Sequence, residues 1–170
     1  MTTILETSRL RLRTFRIEDL DELAPMVADD EQMHFYGAPR TRDDARAWIE
    51  RNVDLYARNG FGFWLIESRD TSTFLGYCGI RPLDLDGVSV TEIGWHTKKT
   101  VWNRGIATEA AAAVRDMAFH RFDRRRLVAL IRPGHDASVR VALKIGMREQ
   151  GAAVVEGDRY VTYVVDAGRD

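Results

Sequence analysis

The segment Trp102-Asn103-Arg104-Gly105-Ile106-Ala107-Thr108-Glu109 is the stretch of this sequence that decides the fold. It follows a predicted strand and begins an alanine-rich helix, and the small residues Gly105 and Ala107 let a ligand approach the backbone closely. The first N–H groups of a helix have no partner within the helix and carry the positive end of its dipole. The segment therefore predicts a site for an anion such as a pyrophosphate, to which Arg104 and Thr108 add a charge and a hydroxyl donor. A tight turn in which Gly105 only relieves backbone strain is the alternative.

Strand and helix periodicities alternate on both sides of this segment. Before it, the pattern predicts a strand over 9–16, a helix that contains Leu20 and Leu23, a helix that begins at the N-cap Thr41, and strands over 61–67, 74–82 and 90–97. From Gly105 onward it predicts a helix to about residue 122, a strand over 127–132, a helix over 136–145 and strands over 148–155 and 160–165. We therefore expect one α/β domain of the α+β type over residues 1–170, with a mixed, mostly antiparallel central sheet flanked by about four helices.

Composition places the chain among globular proteins. It has 170 residues, of which 45% are hydrophobic and 30% charged, and this length fits one domain. The single cysteine, Cys78, excludes an intrachain disulfide, and the N-terminal residues contain no apolar run of signal-peptide length. No stretch approaches the roughly 20 apolar residues of a membrane span, so we expect a cytoplasmic location and no membrane partner.

Charge is unevenly distributed although the net charge is only −1. Residues 18–50 carry ten acidic residues and three arginines, and residues 98–148 carry twelve basic residues and four acidic ones. This asymmetry indicates an anionic partner at one end and a cationic one at the other, unless both are merely solvated faces. The run Arg124-Arg125-Arg126 has no interleaved aromatic residues, so we expect a solvated connection and no nucleic-acid partner.

Two motifs in order make the sequence resemble a known family. The strand Glu92-Ile93-Gly94-Trp95-His96 leads into Arg-Gly-Ile-Ala-Thr-Glu-Ala at 104–110, and Ala-Ser-Val-Arg-Val-Ala-Leu-Lys-Ile-Gly-Met follows at 137–147. Both are similar to motifs of the GNAT superfamily of N-acetyltransferases, and more closely to its RimJ/RimL-type branch, named for enzymes that acetylate the N-termini of ribosomal proteins. The resemblance covers nearly the whole chain and implies acetyl-CoA as co-substrate.

The resemblance also implies which residues bind acetyl-CoA. Backbone N–H groups of residues 104–108 would hold the pyrophosphate, and the backbone of 95–97 would pair with the pantetheine arm like an added strand. Trp102 departs from the polar residue that the family has at that position, and His135 replaces an asparagine. The implied cofactor-binding residues are Trp95, His96, Thr97, Arg104, Gly105, Ile106, Ala107, Thr108, His135 and Lys144.

Acetyl transfer needs a base for the amine, a donor to the thioester oxygen and a donor to the leaving thiolate. Glu92 is the expected base because it lies on the strand beside the cofactor, and His96 on the same strand is the second candidate. Many members of the family have a tyrosine acid where this chain has Ala142, so Ser138 is the expected donor to the thiolate, unless it is a packing serine. We expect the oxyanion donor to be a backbone N–H near Trp95.

The acceptor is an amine, and in this family the region after the first helix borders its cleft. There Asp29, Asp30 and Glu31 precede the aromatic residues Phe35 and Tyr36, a combination that suits a cationic amine, unless the acids only end the helix and stay solvated. The acceptor would be a peptide or protein N-terminus or a small amine. An acyl-CoA-binding sensor without transferase activity is the alternative function, and a homodimer is possible. The four histidines lack metal-ligand spacing, so we expect no metal.

Overall fold

The structure, a computed structural model, describes residues 2–168 and contains eight strands. They are β1 (Thr3–Glu6), β2 (Leu10–Arg13), β3 (Phe63–Ser68), β4 (Phe74–Leu85), β5 (Val88–Thr97), β6 (Arg126–Ile131), β7 (Arg148–Val155) and β8 (Asp158–Asp166). All eight form one sheet in the order β1-β2-β3-β4-β5-β6-β8-β7. Every neighbouring pair is antiparallel except β5 and β6, which run parallel.

The parallel pair creates an opening in the sheet. β5 and β6 are in register at Glu92 and Val128, whereas β5 continues alongside β4 as far as Thr97. Residues 94–97 therefore have a strand partner on one edge only, among the residues that the structure describes. Backbone groups on the other edge of this segment face the gap between β5 and β6.

Five α-helices cover the two faces of the sheet. They are α1 (Leu20–Val27), α2 (Asp30–Met33), α3 (Arg42–Asn59), α4 (Ile106–His120) and α5 (Asp136–Lys144), with short 3-10 helices at Ile17–Asp19 and Lys99–Val101. On one face, α4 and α5 pack against β2–β6 in the larger core, and fully buried alanines at 110, 111 and 118 let α4 lie close to the sheet. On the other face, α1 and α3 form a second core with Leu65 and Phe74.

The predicted fold class is confirmed, with differences in detail. Thr41 caps α3 in a capping box with Asp44, and Gly146, at a φ of +82°, follows the end of α5. The sequence pattern missed β1 and α2, because four residues are too few to establish a period of either kind. The sheet therefore has eight strands, and the helices number five rather than about four.

Candidate active site

Two clefts meet where β5 and β6 separate. The first has a volume of about 680 Å³ and is lined by the start of α4, by α5 and by the end of β5. The second, of about 490 Å³, is lined by parts of α3, β4, β5 and β6. Five residues line both clefts, namely Phe35, Tyr36, Trp95, His135 and Ser138. A molecule in one cleft can therefore reach a molecule in the other at these five side chains.

The end of the first cleft near α4 has the geometry of an anion site. Gly105 has a φ of +77° and Asn103 a φ of +60°, left-handed values that turn the chain into the helix. The N–H groups of residues 106–108 begin α4 and so have no partner within it. Arg140 and Lys144, one turn apart on α5, line the same cleft and add positive charge.

Hydrogen bonds from Thr7 and Arg9 to Glu109 and Arg104, here called the clamp, hold the start of α4 to the segment before β2. The Glu109 carboxylate accepts hydrogen bonds from Thr7 Oγ1 at 2.5 Å and from Arg9 Nε at 2.6 Å, and Arg9 Nη1 also donates to the Arg104 carbonyl at 3.1 Å. Burial raises the pKa of Glu109, but the hydrogen bonds from Thr7 and Arg9 outweigh it and hold that pKa below its usual value. Arg104 thus contributes its carbonyl to the clamp, and its side chain is not among the groups that line the cleft.

Two side chains show which way the end of β5 faces. Tyr36 Oη donates to the Trp95 carbonyl at 3.1 Å, and Trp102 Nε1 donates to the Thr97 carbonyl at 2.9 Å. Both carbonyls therefore point away from β4. Because the N–H and C=O of one strand residue point to the same edge, the N–H groups of Trp95 and Thr97 also face the gap. Trp102 thereby holds this edge of β5 in place.

Ser138 lies at the junction of the clefts with its hydroxyl oriented. Trp95 Nε1 donates to Ser138 Oγ at 3.0 Å, so the serine oxygen acts as an acceptor there and its own proton is available to another group. Ser138 is buried at the first turn of α5. Burial raises the pKa of the neighbouring Tyr36 hydroxyl well above its usual value. A hydrogen bond with Ser138 lowers this pKa only in part, so Tyr36 stays protonated.

His96 is held within the protein by both ring nitrogens. Its Nε2 lies 3.1 Å from the Gln32 carbonyl, and its Nδ1 lies 3.2 Å from Tyr77 Oη. A carbonyl can only accept, so Nε2 carries the proton and Nδ1 accepts from the tyrosine. Tyr36 stacks on the ring at 4.1 Å between centroids, and burial lowers the pKa of His96 to about 4. The nitrogen that could accept a proton, Nδ1, is therefore already bonded to Tyr77 and is not free to accept one from a ligand in either cleft.

We expect the free energy of unfolding to fall as the pH is lowered from about 6.5 towards 4. Burial holds the pKa of His96 at about 4, so the unfolded chain, with a histidine pKa near 6.5, takes up the proton first. The stability that His96 contributes is complete above its pKa in the unfolded chain. It is lost as the pH falls towards the pKa of His96 in the folded protein, by roughly 3 kcal/mol in all. Urea unfolding at about pH 7.5 and about pH 5 measures this loss.

His96→Gln should lose less stability between the two pH values than the unaltered protein. His120→Gln is the matched control, because His120 is exposed at the end of α4 and should leave the pH dependence unchanged. Equal losses in the His96 variant and the unaltered protein would contradict the prediction.

Glu92 lines the second cleft and not the first. Its side chain is 12% exposed and accepts a hydrogen bond from Arg81 Nε across the β4–β5 pair. It lies at the point where β5 and β6 are in register, at the start of the gap. Trp48 and Tyr77 provide aromatic walls in the same cleft. The carboxylate is therefore fixed in position beside the junction and remains partly accessible.

The structure places the predicted acidic segment away from the second cleft. Asp29 caps α2 by accepting from the Gln32 N–H at 3.0 Å, and it also binds Lys99 Nζ at 2.6 Å, which holds the pKa of Asp29 below its usual value. Glu31 contacts the same ammonium at 3.4 Å and lines only the first cleft, and Asp30 is exposed on α2. Of the predicted acceptor residues, the structure brings only Phe35 and Tyr36 to the second cleft.

Nearly all of the residues predicted to bind the cofactor line the first cleft. The first cleft is lined by Trp95, His96, Thr97, Gly105, Ile106, Ala107, Thr108, His135 and Lys144, which leaves out only the Arg104 side chain. Trp102, Asn103 and Arg140 also line this cleft, although no contact was predicted for them from the sequence. The spacing of Arg140 to Lys144 on one helix face could have indicated the arginine. Phe35 stacks on His135 with centroids 4.2 Å apart and planes 6° apart, next to the junction.

Within residues 2–168, no group of three or more histidine, cysteine, aspartate or glutamate side chains is arranged to hold a metal ion. None of the helices in the same range is both long and apolar enough to cross a membrane. Cys78 is buried, and burial raises the pKa of its thiol, so it is not a nucleophile at neutral pH.

Comparisons with known proteins agree with this geometry. Residues 9–148 match the family described as the acetyltransferase (GNAT) domain. The chain is 36% identical over 146 residues to the uncharacterised protein YkkB of Bacillus subtilis (strain 168), with 85% of each chain covered. It superimposes on the crystal structure of an acetyltransferase from Agrobacterium tumefaciens str. C58 with a TM-score of 0.85 and 26% identity, covering 98% of this chain and 95% of that one.

A third relative shares the fold at lower identity. It is RimL, the ribosomal L7/L12 alpha-N-protein acetyltransferase in complex with coenzyme A, with a TM-score of 0.80, 20% identity and coverage of 97% of this chain and 98% of that one. The family match spans most of the chain, includes β2–β6 and α1–α5, and so contains most of the residues that line the two clefts. The protein therefore belongs to the GNAT family of acetyltransferases.

Proposed function

We propose that this protein transfers an acetyl group from acetyl-CoA directly to a primary amine, without a covalent enzyme intermediate and without a metal. The observation that carries the proposal is the meeting of two clefts at Ser138 and Trp95, one cleft with an anion site and the other with a fixed carboxylate. Each reactant has its own entrance, and the reacting atoms meet at the junction. We also propose that the chain is a single acetyltransferase domain and works in the cytoplasm.

The first cleft suits coenzyme A because its polar groups match those of the cofactor. The N–H groups of residues 106–108 with Arg140 and Lys144 bind the phosphate groups. The N–H groups of Trp95 and Thr97 bind the amide-rich pantetheine arm or the thioester oxygen, as hydrogen bonds from an added strand would. RimL, whose structure contains coenzyme A, has the same fold and supports this assignment.

Glu92 acts as the general base for the attacking amine in this proposal. An amine attacks a thioester only when it is neutral, and a carboxylate can take the proton directly or through a water molecule. Glu92 lies in the second cleft beside the junction, whereas His96 has both nitrogens bonded within the protein. The geometry therefore favours Glu92 over His96.

Ser138 donates a hydrogen bond to the thiolate as it leaves. Its oxygen accepts from Trp95, its hydroxyl also hydrogen-bonds the neighbouring Tyr36 hydroxyl, and it lines both clefts, so its proton can turn towards a thiolate at the junction. We expect Ser138→Ala to lower kcat by about 10- to 100-fold, the effect of losing a hydrogen bond to a charged group, and to leave the Kd for acetyl-CoA unchanged. Steady-state kinetics with a calorimetric Kd measures both values.

Ser89→Ala on the exposed part of β5 is the control for the serine substitution and should keep full activity. If Ser138→Ala retained the kcat of the unaltered protein, Ser138 would be a packing residue and the thiolate donor would lie elsewhere.

The amine acceptor is a protein or peptide N-terminus or a small amine. An α-amine has a pKa near 8 and a lysine amine one near 10.4, so the α-amine is more often neutral at pH 7. RimL is described as an alpha-N-protein acetyltransferase, which supports the same preference.

A two-stage assay tests the proposed function. Calorimetric titration with acetyl-CoA should show binding, and a panel of peptides and small amines should then release free thiol in amounts equal to acetylated product. Absence of binding at millimolar coenzyme A would overturn the assignment of the first cleft. Binding without thiol release from any amine would instead identify the protein as an acyl-CoA sensor.

A further inference from the structure

The second cleft is rich in arginine, although the chain as a whole carries a net charge of −1. Four arginines line it, at positions 40, 51, 81 and 132, and they come from the segment before α3, from α3, from β4 and from the end of β6. The acidic residues that line the same cleft are Asp44, Glu92 and Glu156. The distribution of charge in this cleft is thus opposite to that expected for a site that selects cations.

Two of these arginines are already neutralised by carboxylates. Arg81 donates to Glu92, and Arg132 donates to Asp158. For Arg40 and Arg51, by contrast, no carboxylate of residues 2–168 lies within ion-pair distance. These two guanidinium groups therefore have donors available for a ligand in the cleft.

The acidic residues of the cleft do not satisfy Arg40 and Arg51. Asp44 uses one carboxylate oxygen to accept from the Thr41 N–H at 2.9 Å and from Thr41 Oγ1 at 2.7 Å, as part of the α3 cap. Both arginines lie close enough to help hold the pKa of Asp44 below its usual value, after the larger effect of the Thr41 hydrogen bonds. Glu156 is exposed in the turn between β7 and β8.

We propose that the acceptor is an amine that also carries a carboxylate, and that Arg40 and Arg51 bind this carboxylate while the amine approaches Glu92. This inference rests on the proposed transfer function and specifies its substrate class. Guanidinium groups bind carboxylates through two parallel hydrogen bonds, and a concave, partly apolar site strengthens such charge-assisted bonds. The arginines then orient the acceptor along the cleft, and the aromatic walls at Trp48 and Tyr77 contact its apolar part.

Acceptors that differ only by carboxylate and carboxamide test this inference. Glutamate against glutaminamide, which carries no carboxylate, examines small acceptors, and C-terminally amidated peptides that begin Ser-Glu-Glu against Ser-Gln-Gln examine N-termini. The kcat/KM should be at least tenfold higher for the acidic member in at least one of these pairs. Arg40→Gln combined with Arg51→Gln should remove that preference by raising KM for the acidic acceptor, with kcat and the Kd for acetyl-CoA unchanged.

Arg46→Gln is the matched control, because Arg46 is an exposed residue of α3 that lines neither cleft, and it should keep the preference. Arg40→Glu combined with Arg51→Glu should reverse the preference in favour of Ser-Lys-Lys peptides. Equal kcat/KM within both pairs, or a preference that survives the double glutamine variant, would overturn the inference.

A binding experiment separates this inference from the proposed function. If no amine is acetylated, N-acetylglutamate and N-acetylglutaminamide, which carries no carboxylate, can be titrated in the presence of coenzyme A and followed by NMR. Tighter binding of N-acetylglutamate that is lost in the double glutamine variant supports the carboxylate site even though transfer has failed. Equal affinity for the two compounds overturns the site.

Discussion

Gly105→Glu is expected to abolish acetyl-CoA binding while the protein remains folded. Gly105 lies immediately before α4, where the free N–H groups of residues 106–108 form the proposed anion site. A glutamate there adds a negative charge beside these N–H groups, so repulsion opposes the attraction between them and the pyrophosphate. We expect the affinity to fall at least 100-fold, that is by about 2.7 kcal/mol or more. Calorimetric titration with acetyl-CoA measures the loss, and circular dichroism checks the fold.

Gly105→Ala distinguishes charge from backbone strain. Both substitutions place a Cβ on a residue whose φ is +77°, at a cost of about 1–2 kcal/mol, which a protein of ordinary stability tolerates. The added Cβ would lie 3.5 Å from Arg9 Nη2, an ordinary contact, so no clash is expected. The alanine variant should therefore retain most of the affinity for acetyl-CoA. Normal binding by Gly105→Glu would place the phosphate site elsewhere, and equal losses in both variants would assign the effect to strain.

The features that could be predicted from the sequence depend on local chemistry. The anion site needs only a glycine, a small residue and a helix start in order, and all of these lie within 102–109. The buried leucines of β2 follow from alternation, and the α3 cap follows from Thr41 and Asp44 three residues apart. Such signals depend only on neighbours within a few residues, so long-range contacts do not change them.

The features that could not be predicted depend on contacts between distant segments. Lys99 neutralises Asp29 and Glu31 across about 70 residues, which turns an apparent amine-binding cluster into a link between α2 and the loop after β5. Tyr36 reaches Trp95 across 59 residues. Arg13, which alternates with the buried leucines of β2, is itself buried because Asp19 and Glu67 bind it. No period or motif encodes these partners, so the lining of the second cleft could be found only from the structure.

Removal of the proposed general base, Glu92, should slow the reaction strongly. We expect Glu92→Gln to lower kcat by about 100-fold or more, the contribution of a positioned base, and to leave the Kd for acetyl-CoA unchanged. The substitution keeps the size of the side chain, and the amide oxygen can still accept the Arg81 hydrogen bond. What it removes is the ability to take a proton. Stopped-flow or steady-state thiol release, measured with one acceptor across a range of pH, gives kcat for both proteins.

The pH dependence and a matched carboxylate make the test of Glu92 specific. The rate of the Glu92→Gln variant should rise further at high pH than that of the unaltered protein, because an amine that is already neutral no longer needs the base. Glu156→Gln removes another carboxylate from the same cleft, in an exposed turn, and should retain most of the kcat. A Glu92→Gln variant with nearly normal kcat would restrict Glu92 to anchoring Arg81. Because the Nδ1 of His96 already accepts from Tyr77, that result would also require the structure to rearrange before His96 could serve as the base.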